Sequence, residues 1–316
     1  MKPIIVAGII ALIPALTLRA YFRDLKRARR RQKRFHSKTV NTAKGPVEYA
    51  TAGKGEPVLV VHGAAGGYDQ GITIGRDSVG DDFRIIAPSR FGYQNTPMPK
   101  DASPAAQADT FASFLEALGI PRISVVGVSA GAPSALQFAI RHPEKVLHLV
   151  LMVPGVYGPE PPKKTRPVSF SFMLSSLFKT NYPLWAAMKL NSRKVLSTIG
   201  VPVSVQQQLT GAQKEEIMNW LLPYETRIPG MINDARIASH LEPSSIQSIT
   251  APTLIISARD DLWKTYGPAQ YTAQHIPHAK FIGFDTGGHL LNGWSEKVRS
   301  EIRSFLRQPA GMTIPG

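Results

Sequence analysis

The chain has no cysteine among its 316 residues, so it can hold neither a disulfide framework nor a thiolate metal site. It is also short of acid: 22 Asp and Glu stand against 37 Lys and Arg, for a formal net charge of +15. That excess is unevenly placed. Residues 1–45 hold twelve of the basic residues and one acid, Asp24, which leaves only +4 for the rest of the chain. Basicity confined to one end does not make a nucleic-acid-binding domain of the remainder, and no nucleic-acid partner is expected. No internal repeat and no cluster of metal-ligand residues stands out, so a solenoid is excluded and neither a metal nor another cofactor is expected. An uninterrupted apolar run of roughly 20 residues, the length a helix needs to cross a bilayer, is missing too. Residues 3–18 carry no charge, but they number only sixteen.

That short stretch nevertheless reads as an anchor. Residues 4–13 are apolar on every helical face, and Ala20, Tyr21 and Phe22 extend the run if Arg19 snorkels to the headgroups. The basic cluster from Arg23 to Arg34 follows the apolar run, and no small-x-small cleavage site is suitably placed, unlike in a secretory signal. By the positive-inside rule the cluster holds the C-terminal side in the cytoplasm. The expectation is therefore a transmembrane or anchor helix over residues 1–22 and a polybasic linker over 23–36 that attracts membrane lipids. The main domain would be membrane-anchored and cytoplasmic; secretion after signal cleavage is the alternative.

Beyond the N-terminus, 43% hydrophobic residues over this length can bury a sizeable core, and one domain over 37–308 with a short tail at 309–316 is expected. Two extended stretches around Lys44-Gly45-Pro46 read as an opening hairpin. Apolar runs at 57–61, 83–88, 123–128, 146–153, 253–258 and 280–284 read as strands. Helical spacing appears at 102–118, 132–142 and 290–305. Strands alternating with helices predict an α/β fold with a doubly wound, mostly parallel sheet, whose ligands bind at the carboxyl ends of the strands. From about 156 to 241 the alternation stops. Helical segments bearing Phe170, Phe172, Met173, Leu177, Phe178, Trp185, Met188, Met218, Trp220 and Tyr224 predict a helical cap, with such aromatics more often core than pocket lining. Asn233-Asp234 reads as a turn or helix cap rather than as a reacting acid.

The chemistry-bearing signal is Gly127-Val128-Ser129-Ala130-Gly131, with an apolar strand before it and a helix after it that begins Ala132-Pro133. Small residues at this spacing suit a sharp strand-to-helix turn that pushes a serine out of the sheet. A lone hydroxyl is a poor nucleophile and needs a histidine base oriented by a carboxylate. Downstream, Asp260-Asp261 follow the 253–258 strand, and Gly287-Gly288-His289 follow the 280–284 strand. The 57–61 strand ends in His62-Gly63-Ala64-Ala65-Gly66-Gly67, a loop whose N–H groups can face a substrate oxygen. Ala64 and Ala130 are the expected oxyanion donors. His62 reads as a residue that orients this loop by hydrogen bonds.

On His62-Gly63, Gly127-x-Ser129-x-Gly131, Asp261 and His289, the chain resembles the α/β-hydrolase fold serine hydrolases that carry a helical cap, over roughly residues 37–308. In that family the acid commonly follows a Gly-x-x-Asp pattern; Ala258 occupies the glycine position here and points to Asp261, with Asp260 as the alternative. The resemblance implies a Ser129–Asp261–His289 triad, an acyl-enzyme and a small-molecule acyl substrate, with carboxylic-ester hydrolysis favoured. Carbon–carbon bond hydrolysis, lactone opening and acyl transfer use the same residues. A non-catalytic, membrane-tethered binding module is the reading of a different class.

Overall fold

The computed structural model describes residues 3–159 and 180–309, apart from the side chains of residues 3–14 and of Asn219. Eight strands form one sheet: β1 (Lys38–Thr42), β2 (Gly45–Ala52), β3 (Pro57–Val61), β4 (Arg84–Pro88), β5 (Ile123–Val128), β6 (Val146–Met152), β7 (Thr253–Ala258) and β8 (Ala279–Phe284). Their spatial order is β1-β2-β4-β3-β5-β6-β7-β8. The β1/β2 and β2/β4 pairs are antiparallel and the remaining pairs parallel. Thr42 pairs directly with Gly45, which takes φ +108, a conformation open to glycine at little cost in this tight hairpin.

Six helices have some bearing on the sheet or its N-terminal approach: α1 (Pro3–Lys33), α2 (Tyr68–Ser78), α3 (Pro104–Ala117) and α4 (Ala132–Arg141), and, closing the chain, a helix at Tyr266–His275 and one at Ser295–Leu306. Every residue of β5 is buried, as a central parallel strand with helices on both faces must be. Ile123 and Val125 join one core with Phe111, Phe114, Phe138 and Ala269. Val126 and Val128 join the other with Ile72, Val298, Ile302 and Phe305. The alternation of side chains along one strand thus builds two cores at once.

Between β6 and β7 the described part of the cap comprises α5 (Asn181–Leu190), α6 (Ser192–Thr198), α7 (Val203–Gln208), α8 (Gly211–Trp220) and α9 (Ile228–Ser239). The two C-terminal helices are accordingly α10 (Tyr266–His275) and α11 (Ser295–Leu306). Trp185, Met188, Met218 and Tyr224 are buried in the cap's own core, with Leu196, Leu222 and Met231. They are packing residues, while Phe170, Phe172, Met173, Leu177 and Phe178 lie outside the described residues.

The N-terminal expectation needs correction. Among the described residues no helix is long and apolar enough to cross a membrane, so a membrane-spanning helix over 1–22 is not supported; the side chains of the 4–13 stretch on which it rested lie outside the described set. Nor do residues 23–33 form a free linker, since α1 runs through them as one helix. Leu25 and Ala28, three apart on one face, are buried, and Ala28 belongs to the cap's core. Asp24 accepts from the Trp185 indole at 3.1 Å and pairs with Lys189 at 3.0 Å, and Arg29 pairs with Glu225 at 2.9 Å. Arg31 donates to the Leu222 carbonyl at 2.9 Å. Apolar and charged positions on the inner face therefore dock the helix, while the surplus arginines face outward.

Candidate active site

Ser129 sits where β5 meets a single 3-10 turn that leads into α4. Its φ is +51, a left-handed conformation that costs a non-glycine residue energy and marks a built feature. The neighbouring glycines are sterically required. A Cβ on Gly131 would lie 2.4 Å from the His62 carbonyl oxygen, and one on Gly127 would lie 2.5 Å from the Ala135 Cβ. Gly63 brings the loop after β3 against the serine, its Cβ position being 3.2 Å from the Ser129 Cβ.

The structure brings Ser129, His289 and Asp261 into one hydrogen-bonded line. The His289 Nε2 lies 2.8 Å from the Ser129 Oγ, and its Nδ1 lies 2.9 Å from the Asp261 Oδ2. A carboxylate can only accept, so Nδ1 donates and Nε2 is left to accept the serine proton. Asp261 is fully buried and also accepts from the Thr265 hydroxyl at 2.5 Å and the Trp263 N–H at 2.9 Å. Burial works to raise its carboxyl, but the facing His289 and the bonds from His289, Thr265 and Trp263 outweigh it and hold it below the usual Asp range.

Asp260, the alternative acid, faces elsewhere. Its two oxygens accept from the N–H groups of Gly288 at 2.7 Å and Gly287 at 3.2 Å, so it shapes the loop that carries His289. Gly287 and Gly288 take φ +126 and +60, which gives their N–H groups this common target. The cap contributes as well: the His289 N–H donates to the Gly200 carbonyl at 3.2 Å.

Ala130 lies in the first turn after the elbow, where N–H groups have no intrahelical partner. Ala64 is half-buried in the loop after β3. Around it several polar groups of the loop are engaged. The Gly63 N–H donates to Gln70 at 3.0 Å, and the Ala65 N–H to the Tyr93 hydroxyl at 3.3 Å. His62 is fully buried; its Nε2 accepts from the Arg90 N–H at 3.0 Å, so its Nδ1 donates to the Gly63 carbonyl at 2.7 Å. Burial first, and the Arg90 guanidinium second, hold the His62 pKa well below 6.5. His62 therefore orients the loop as a neutral ring.

Several residues around this loop were not legible in the sequence. Arg90, in the loop after β4, forms a bidentate pair with Asp234 of α9 at 2.6 and 2.8 Å. Arg227, fully buried just before α9, pairs with Asp69 of α2 at 2.7 Å and donates to the Ala65 carbonyl at 3.0 Å and to the Gly66 carbonyl. Burial would raise the Asp69 carboxyl, yet the charge and hydrogen bonds of Arg227 and the bond from Gln32 hold it down. Asp234 is thus neither a helix cap nor a turn residue but a buried counter-ion. The partners are 144 and 158 residues apart, and no local spacing links them.

A strained serine at a strand-to-helix turn, backed by a histidine and a buried carboxylate at the carboxyl edge of a parallel sheet, defines the class of hydrolases built on a nucleophile elbow. The family described as alpha/beta hydrolase fold matches residues 56–187. The chain is 40% identical over 272 residues to 2-hydroxymuconate semialdehyde hydrolase of Pseudomonas putida, across 81% of this chain and 89% of that one. It is 32% identical to 2-hydroxy-6-oxo-6-phenylhexa-2,4-dienoate hydrolase of Comamonas testosteroni, across 83% and 91%. Among solved structures, an alpha/beta hydrolase fold protein from Nakamurella multipartita superposes with a TM-score of 0.70 at 28% identity, covering 86% of this chain and 99% of that chain. The chain belongs to the α/β-hydrolase family and is an enzyme of that family.

Proposed function

We propose that this enzyme hydrolyses a small carbonyl substrate through an acyl-enzyme on Ser129, with a carboxylic ester or related acyl compound as the substrate class. The observation that carries the reading is the continuous line of hydrogen bonds from Ser129 through His289 to Asp261, at 2.8 and 2.9 Å. His289 takes the hydroxyl proton as the Ser129 Oγ attacks the carbonyl carbon. The N–H groups of Ala64 and Ala130 receive the oxyanion, and collapse of the tetrahedral adduct expels a leaving group that takes its proton from the imidazolium. Water, deprotonated by the same ring, then attacks the acyl-serine and releases acid. Asp261 holds the ring in the productive tautomer and stabilises its charged form.

A second reading is favoured by two relatives above 30% identity across more than four-fifths of this chain, both named as hydrolases of oxo-dienoate or semialdehyde compounds. The bond cleaved next to the attacked carbonyl would then be carbon–carbon, and the leaving group a stabilised carbanion protonated on carbon. Both readings use the same serine, base and oxyanion donors and differ in what departs. Hydrolysis of p-nitrophenyl esters of graded acyl length, run beside a 2-hydroxy-6-oxo-dienoate, tests them together with Ser129→Ala as control. Serine-dependent turnover of either class supports the hydrolase, and the faster class names the bond. A folded wild-type chain that turns over neither, and takes no fluorophosphonate label at Ser129, refutes the proposal in favour of a binding module.

A further inference from the structure

Two buried ion pairs join the cap to the sheet domain, and they run in opposite senses. The sheet domain gives Arg90 to Asp234 of the cap, and the cap gives Arg227 to Asp69 of the sheet domain. Each arginine has donors to spare after pairing, and both extend some of them to one short loop. Arg90 donates from Nε to the His62 carbonyl at 2.9 Å and from Nη2 to the Gly63 carbonyl at 3.1 Å. Arg227 takes two carbonyls further along the loop, those of Ala65 and Gly66, and its Nε holds the Pro223 carbonyl of the cap.

The geometry of one peptide unit makes this consequential. In a planar trans peptide the C=O and N–H point in opposite directions, so whatever fixes the carbonyl of residue 63 fixes the N–H of residue 64. The Gly63 carbonyl is held by two groups at once, the Arg90 guanidinium and the His62 ring. The direction of the Ala64 N–H is thereby set by the same two bonds. On the far side of Ala64, the Ala65 N–H is fixed by the Tyr93 hydroxyl, which itself donates to Asp234 at 2.5 Å. Asp234 therefore stands behind both peptides that flank Ala64. It is a residue of the cap, although the loop belongs to the sheet domain.

We propose that Asp234 is a positioning residue for the oxyanion hole: acting through Arg90 and Tyr93, it makes the seating of the cap a condition for the Ala64 N–H to face the reacting carbonyl. The inference rests on the hydrolase reading above. Its consequence is that the cap does more than shape a substrate pocket. A displaced cap helix α9 would release Arg90, free the peptide between residues 63 and 64 to rotate, and leave Ser129 nucleophilic but without one of its two donors.

The test uses the full chain and separates transition-state stabilisation from binding and from folding. Wild type, Asp234→Asn, Arg90→Lys and Tyr93→Phe are compared for kcat and KM on the best ester, for affinity of a trifluoromethyl ketone that forms a tetrahedral adduct with Ser129, and for thermal midpoint. Direct loss of an oxyanion donor costs about 10²–10³ in kcat, so misaiming one should cost roughly 30-fold in Asp234→Asn and Arg90→Lys. The adduct should weaken by the same factor, with KM changed by less than about threefold. Tyr93→Phe, which removes one hydroxyl and keeps the ring, should lose about fivefold in both readouts. A purely structural role would lower the thermal midpoint and leave the folded enzyme's kcat and adduct affinity at wild-type values; that result overturns the proposal. Should the two ion-pair variants fail to fold, unchanged kcat and adduct affinity in Tyr93→Phe overturns it equally. If wild type itself shows no Ser129-dependent turnover or adduct, it is the hydrolase reading that has failed, and this inference falls with it.

Discussion

Replacing Asp261 by Asn, set against the same change at Asp260, tests the chemistry of the site with neighbouring residues that differ only in where they point. Asp261 is fully buried, and its carboxylate lies 2.9 Å from His289 Nδ1. When the ring becomes an imidazolium, two unit charges about 4 Å apart at an effective dielectric of about 20 attract by about 4 kcal/mol. Removing that attraction costs about three powers of ten in rate. The carboxamide also presents an N–H where only an acceptor suits the ring, which favours the wrong tautomer and brings the expected loss in kcat to about 10³–10⁴. Asp260 instead accepts from the Gly287 and Gly288 N–H groups. Its Asn variant keeps one acceptor oxygen and gives up part of a charge-assisted bond, worth about 1.5–3 kcal/mol in full, so kcat should fall by about tenfold or less. The assay is the initial rate of p-nitrophenolate release near pH 8 by both variants, each shown to be folded by its thermal transition. Asp261→Asn within tenfold of wild type, or Asp260→Asn slower than Asp261→Asn, would refute the reasoning.

Three further outcomes follow from the same contacts. Truncation of the buried counter-ion in Asp234→Ala leaves Arg90 unpaired and should cost about 3–5 kcal/mol of stability, whereas Asp109→Ala, which breaks the half-exposed pair with Arg141, should cost about 1 kcal/mol or less; equal denaturant midpoint shifts would contradict this. Stability should fall on acidification in two stages. The folded chain holds His62 below its ordinary pKa, so the unfolded chain takes up a proton first and stability is lost as pH drops below about 6.5; Asp69 and Asp261, also held low, add a second loss under about 4. A thermal midpoint constant from pH 7 to 5 would contradict the role given to His62. Deleting residues 1–36 removes the buried Leu25, worth roughly 2 kcal/mol, together with the Asp24, Arg29 and Gln32 contacts, so the thermal midpoint should drop by roughly 4 °C or more. An unchanged midpoint would mean that α1 is not part of the folded unit.

What the sequence determined by itself is local or ordered along the chain. A buried strand, a serine between glycines and a following helix are contiguous, and the steric demand that leaves Gly127 and Gly131 without side chains acts within one turn. The order of Ser129, Asp261 and His289 was legible because each follows its own strand, and strands announce themselves by runs of apolar residues. The Ala258-x-x-Asp pattern pointed to the acid that the structure brings to His289, but gave no sign that Asp260 would shape the histidine's loop. Tertiary structure alone decided the rest. Arg90 and Asp234, or Arg227 and Asp69, meet only because the cap folds back over the sheet, and an ion pair between distant residues leaves no periodicity in either segment. The N-terminus shows the same limit from the other side: hydropathy registered an apolar stretch and a run of charge, whereas the position of α1 was set by Leu25, Ala28 and Asp24, whose inner face has meaning only once there is a cap for it to pack against.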